Sequence, residues 1–108
     1  MTAGFGHVDI HQVRAWAEAG HATIVDIRDP GSFDCGHVAG AVHVGDHNVT
    51  DFVASAPRNR PLVVYCYHGI ASQGAAAYFA AQGFAPVYSM VGGFEDWRVV
   101  YPAVADGA

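Results

Sequence analysis

Cys66 ends an apolar run, Leu62 to Tyr65, and precedes the loop Tyr67-His68-Gly69-Ile70-Ala71 and then Ser72. A helix-like, alanine-rich segment follows and Gly83 stops it. A cysteine between a strand and a helix is placed for nucleophilic chemistry. Backbone N–H groups at a helix start have no intrahelical partner, and the macrodipole puts about half a positive charge there. A short loop can also curl its amides into an anion-binding nest. Both effects favour thiolate over thiol, and in such settings cysteine pKa values fall from about 8.5 toward ~3.5–7.5. The same donors would hold an anionic sulfur carried on the cysteine. The plain alternative is a buried strand-end cysteine, because cysteine packs well as a small hydrophobe.

The elements that must position this cysteine read as alternating strands and helices. Phe5 to Val8 suits a strand, and Asp9 an N-cap for a helix with the apolar stripe Ile10, Val13, Trp16 and Ala17, closed by Gly20. Residues 22–27 form a β-branched run that predicts a buried strand. Residues 28–41 are rich in turn formers, with one helical turn from Pro30. A short strand at 42–44 and a capped helix at 48–56 follow. Leu62 to Tyr65 is apolar on both faces, as a central parallel strand should be. The spacing predicts a helix over 72–82 with Ala75, Tyr78, Phe79 and Gln82 on one face, a strand at 86–90 and a last helix over 92–100. The alternation implies an α/β fold, a twisted and mainly parallel five-stranded sheet with helices on both faces.

Bulk composition narrows the function. The chain has 108 residues, 52% hydrophobic and 14% charged, and reads as one compact domain over 1–108. Net charge is -5 with no basic run, which argues against nucleic acid and anionic membrane surfaces as partners. The basic residues are Arg14, Arg28, Arg58, Arg60 and Arg98; without lysine, Schiff-base chemistry is excluded. Two cysteines, Cys35 and Cys66, make no disulfide framework and no CxxC pair. The start of the chain has neither a basic segment nor an apolar core of a secretory signal, and no apolar run reaches the ~20 residues of a membrane span. The expectation is a cytoplasmic protein with free thiols.

Other polar residues admit two readings each. His68 could orient a substrate or supply charge when protonated, or only shape the loop. Arg28 could steer an anion or pair with Asp26 or Asp29. Cys35 could resolve a sulfur adduct on Cys66, or be passive, since nothing near it in sequence activates it. The seven histidines are scattered, and no HxxxH pair falls on a clear helix, so no metal and no cofactor are expected.

Four segments together are similar to one family. "VDIRDPGSFDCGHVAGA" has its Asp-x-Arg, aromatic, Gly-His and Gly-Ala; "VVYCYHGIAS" resembles its active-site strand and loop; "SQGAAAYFAAQGF" its following helix; "GGFEDW" its terminal Gly-Gly-x-x-x-Trp. In this order, over roughly residues 5–101, they resemble the rhodanese-like sulfurtransferases, most of all the short single-domain thiosulfate sulfurtransferases of the GlpE type. The resemblance implies that Cys66 takes the outer sulfur of a small anionic donor such as thiosulfate, and that cyanide or a dithiol protein such as a thioredoxin removes it. It also implies that Tyr67 to Ser72 line the substrate loop, with Ser72 capping the next helix or donating a hydroxyl bond, and that Asp26 and His37 are scaffold. A non-catalytic binding module on the same fold is the alternative. A phosphatase, which also uses a loop cysteine, would place an arginine at the loop's far end, where this chain has Ser72. Compared with GlpE-type loops, Ile70 and Ala71 replace polar residues and Gln73 replaces lysine, which weakens the expectation for thiosulfate itself.

Overall fold

The computed structural model describes residues 4–105. The first three residues of the N-terminal stretch read above for a signal lie outside the described residues. The elements run β1 (Gly6–Val8), α1 (Ile10–Ala19), β2 (Thr23–Asp26), α2 (Pro30–Cys35), β3 (Val42–His43), α3 (Val49–Ser55), β4 (Leu62–Tyr65), α4 (Ala71–Ala81), β5 (Val87–Met90) and α5 (Gly93–Val100). The sheet order is β1-β5-β4-β2-β3, and every neighbouring pair is parallel. The expected α/β fold and sheet are therefore what is observed, and β4 lies at its centre.

Local chemistry explains the element ends. Asp9 caps α1 by accepting from the Gln12 amide at 2.8 Å, and Gly20 closes it at φ 64°, a backbone region that glycine enters without a Cβ penalty. Asp29 caps α2, which has Pro30 in its first turn. This helix extends from Pro30 to Cys35, beyond the one helical turn expected from Pro30. Asn48 occupies the N-cap of α3 without capping it; its side chain accepts from the Gly45 amide and donates to the His43 carbonyl, tying β3 to the helix start.

Strand alternation divides the core into two layers. Val63 and Tyr65 of β4 join Val8, Ile10, Val13, Ile24, Met90, Phe94 and Trp97 beneath α1 and α5. Leu62 and Val64 join Val25, Val44, Ala76, Phe79, Phe84 and Val87 beneath α3 and α4. The α4 face agrees with the expected one in part: Phe79 is buried and Ala75 packs half-buried against the core, but Tyr78 and Gln82 are exposed and Ser72, Ala76 and Ala80 are buried in their place. Alanines dominate the helix and leave its periodicity weak, so the sheet selects the face that packs closest. No helix among the described residues is long and apolar enough to cross a membrane.

Candidate active site

Continuing the alternation of β4 past Val64 places Cys66 on the α4 side of the sheet, at the carboxyl end of the central strand. Its side chain is 5% exposed. The loop curls back over it, and Sγ accepts from the Gly69 amide at 3.2 Å and the Ser72 amide at 3.3 Å. Burial pushes the Cys66 thiol up, but the Ser72 hydroxyl and the amides of Ser72, Gly69 and His68 outweigh it, so its pKa lies below the ordinary value.

The loop holds this shape because α5 grips it from behind. The Phe94 and Glu95 amides donate to the Cys66 and Tyr67 carbonyls at 2.9 and 3.0 Å. These are first-turn amides with no partner inside their own helix. With its carbonyls held to the rear, the loop presents its amides to the sulfur. The grip requires glycine at Gly93, which has φ +62° and where a Cβ would sit 2.5 Å from the Tyr67 carbonyl oxygen. Gly69 is constrained as well, at φ +85° with a Cβ position 2.9 Å from the Gly92 nitrogen. The Gly-Gly pair, read from sequence only as part of a resemblance, is thus a docking surface for the cysteine loop. Gln73 braces the loop from the other side, its amide donating to the Gly69 carbonyl at 2.9 Å.

Cys66, Tyr67, His68, Ile70 and Ala71 line a cleft of about 160 Å³. Ile70 is 73% exposed at its rim. Ser72 lies inside α4 rather than capping it; the N-cap position is Ile70, which supplies no side-chain cap, and the Ser72 hydroxyl instead meets that of Ser89 at 2.7 Å.

Arg28 belongs to the scaffold network rather than to that cleft. Its guanidinium is buried and bonds Asp26 through Nε and Nη2, the closest contact being 2.7 Å, and it also donates to the Gly36 carbonyl. Burial pulls the Arg28 pKa down, and the bond to and charge of Asp26 more than reverse this. The charge is neutralised in place, which leaves little of it to steer an anion. Of the two partners considered from sequence, Asp26 takes it. Asp29 instead receives the hydroxyls of Tyr67 and Ser32 and the Ser32 amide, and these bonds hold its carboxyl well below the usual range. This network joins α2 to the cysteine loop. His37 is buried, with Nδ1 at 2.7 Å from the Phe33 carbonyl and its ring stacked on Phe33.

Arg28, Ser32, Cys35, Tyr67, Phe94 and Arg98 are among the residues of a second cleft, of about 330 Å³. Cys35 is exposed there and Cys66 is buried; both are free thiols. A separate hollow of about 250 Å³ beside Arg14, Glu18 and Trp97 has no thiol or hydroxyl side chain in its lining. Among the described residues no group of histidine, cysteine and carboxylate side chains is arranged to hold a metal.

Comparison with known proteins places these features. The family model described as "Rhodanese-like domain" matches residues 9–99. The chain is 55% identical over 103 residues to "Thiosulfate sulfurtransferase GlpE" of Pseudomonas aeruginosa strain PAO1, covering 95% of this chain and 93% of that one. It is 52% identical over 99 residues to the protein of the same name from Stutzerimonas stutzeri, covering 92% and 90%. Among solved structures, a rhodanese-related protein of Thermoplasma volcanium superposes with a TM-score of 0.81 at 19% identity, covering 94% of this chain and all of that one, a likeness of fold. A rhodanese-like domain from Anabaena gives 0.80 at 25% identity, covering 92% and 78%.

Proposed function

The chain belongs to the rhodanese-like domain family and is a sulfurtransferase, and we propose that Cys66 carries the transferred sulfur as a persulfide. The observation that supports this reading is the pair of amides, Gly69 and Ser72, aimed at a thiol at the carboxyl end of the central strand. In the first half-reaction the Cys66 thiolate attacks the outer sulfur of thiosulfate. The S–S bond of the donor breaks and sulfite leaves with its electron pair. In the second, a nucleophilic acceptor attacks the outer sulfur of the persulfide, and Cys66 departs as thiolate. Cyanide is an acceptor of this kind, and so is a dithiol protein such as a thioredoxin, whose second thiol then closes a disulfide and releases the sulfur as sulfide. The loop amides stabilise the negative charge on sulfur at each stage, already oriented and in a site with little water. No resident metal or cofactor enters either step.

Arg28 takes no part in binding the donor in this reading, since Asp26 holds it. The loop residues Tyr67 to Ser72 surround the carried sulfur, Tyr67, His68, Ile70 and Ala71 as cleft lining and Gly69 and Ser72 through their amides. The whole chain acts as one rhodanese domain, in the reducing cytoplasm, where its two thiols stay free. Treatment with thiosulfate followed by intact-protein and peptide mass spectrometry tests the assignment. A gain of one sulfur on the Cys66 peptide is the expected result. No gain with any sulfane donor would instead identify a binding module.

A further inference from the structure

Two buried hydroxyls, those of Ser72 and Ser89, meet next to the nucleophile. Ser72 is 0% and Ser89 1% exposed, and their oxygens lie 2.7 Å apart. Ser89 is on β5, in register with Val64 of β4, two residues before Cys66. Alternation puts Ser89 on the same face as Val87, among the apolar residues beneath α4. A hydroxyl there replaces the methyl-bearing side chain that the layer otherwise uses, and leaving it unpaired would be destabilising.

Ser72 stands between Ser89 and the nucleophile. Its amide donates to the Cys66 sulfur at 3.3 Å, and its hydroxyl is paired with that of Ser89. Whichever hydroxyl donates, the bond ties the first turn of α4 to β5. We propose that Ser89 is a positioning residue for sulfur transfer: its hydroxyl holds Ser72 through Oγ and thereby keeps the Ser72 amide on the Cys66 sulfur. A donor already held in place needs no reorientation when charge forms on the thiolate or persulfide. Both hydroxyls are buried, so their bond is strengthened by the low local dielectric.

The proposal rests on Cys66 being the sulfur carrier. Of the charged or titratable side chains on adjoining elements, Tyr67 and His68 lie in the loop, Tyr65 on β4, Asp26 and Arg28 at the end of β2, Tyr78 on α4, Tyr88 on β5, and Glu95, Asp96 and Arg98 on α5. The bonds to sulfur come from the loop and α4, so a change at Ser89 reaches the thiol through Ser72.

The test measures the pH midpoint of iodoacetamide alkylation and kcat/KM for thiosulfate, in a Cys35→Ser background that removes the exposed thiol. Ser89→Ala is expected to raise the midpoint and lower kcat/KM about two- to tenfold, the range of one directed hydrogen bond. In a Ser72→Ala background the same substitution is expected to change neither, because there is no hydroxyl left for Ser89 to hold. Ser89→Thr keeps the hydroxyl and should keep both values, while Ser89→Val, of the same shape, should behave as Ser89→Ala; this second pair decides if the alanine variant does not fold. An unmoved midpoint in Ser89→Ala or Ser89→Val, or an equal loss in both Ser72 backgrounds, overturns the role of Ser89. A wild-type midpoint at the ordinary thiol value would instead overturn the reading of Cys66 itself.

Discussion

The Phe94 amide donates to the Cys66 carbonyl at 2.9 Å, so the last helix holds the backbone of the residue that bears the nucleophile. The same ring of Phe94 lies under the Arg28 guanidinium, 4.0 Å from its centroid, and Arg28 is paired with Asp26 at the end of the neighbouring strand. Three segments remote in sequence thus meet behind the loop.

Gly93→Ala should break this grip. The added methyl would meet the Tyr67 carbonyl oxygen at 2.5 Å, on a backbone with positive φ. The chain must shift the loop or α5, at a cost of about 1–3 kcal/mol. Urea unfolding should show that loss, with a fall in sulfur transfer of more than about tenfold because the amides move off the sulfur. Unchanged stability and activity would mean that the loop keeps its shape without α5.

Cys66→Ser should abolish sulfur transfer with the fold retained, as judged by circular dichroism. Cys35→Ser should leave turnover near wild type, because Cys35 is exposed on α2 and lines a different cleft. A large loss in the Cys35 variant would restore it as a resolving thiol.

The lowering of the Cys66 pKa has two consequences. Alkylation should show a midpoint below the free-thiol value of about 8.5. For stability, a folded pKa below the unfolded one means that the unfolded chain binds more protons between the two values. Stability therefore rises with pH across that window, is fully gained above the unfolded value, and is lost as pH falls through the folded one. In Cys66→Ala this pH-dependent increment should vanish from urea titrations run on either side of pH 8.5.

Gln73→Lys should raise kcat/KM for thiosulfate about two- to tenfold, more at low salt than at high salt. The cleft beside Cys66 has no lysine or arginine in its lining, and thiosulfate is a dianion. Gln73 sits one residue beyond Ser72 with its side chain on the Gly69 carbonyl, a contact that a lysine ammonium can also make. No gain at low salt would direct the search for the donor toward neutral or protein-bound persulfides, which the exposed Ile70 at the rim does not disfavour.

Asp26→Asn should cost about 3 kcal/mol, because it leaves the buried Arg28 charge without its partner. The readout is the urea midpoint. An Asp26→Asn chain as stable as wild type would show that the Gly36 carbonyl and Phe94 ring suffice for Arg28.

The order of elements and the place of Cys66 are legible in the sequence because they depend on local signals. The four apolar residues of β4, the Asp9 cap and the stop at Gly20 each act within a turn or a strand of their own position. Composition alone set the absence of lysine and the excess of acid. Tertiary structure decided what depends on contacts distant along the chain. Arg28 stands between Asp26 and Asp29 in the sequence, and only the buried geometry shows that Asp26 takes it and that Asp29 turns to Tyr67 and Ser32. The packed face of α4 could be read only in part from a run of alanines, which have similar hydrophobicity on every side; the sheet chose Ala76 and Ala80 beside Phe79. The need for glycine at Gly93 arises from a carbonyl on the Cys66 loop, and Ser89 appears in sequence only as a polar residue in a strand. A hydrogen bond or a clash between segments depends on where each side chain finally lies, and only the packed sheet brings Ser89 to Ser72 and Gly93 to Tyr67.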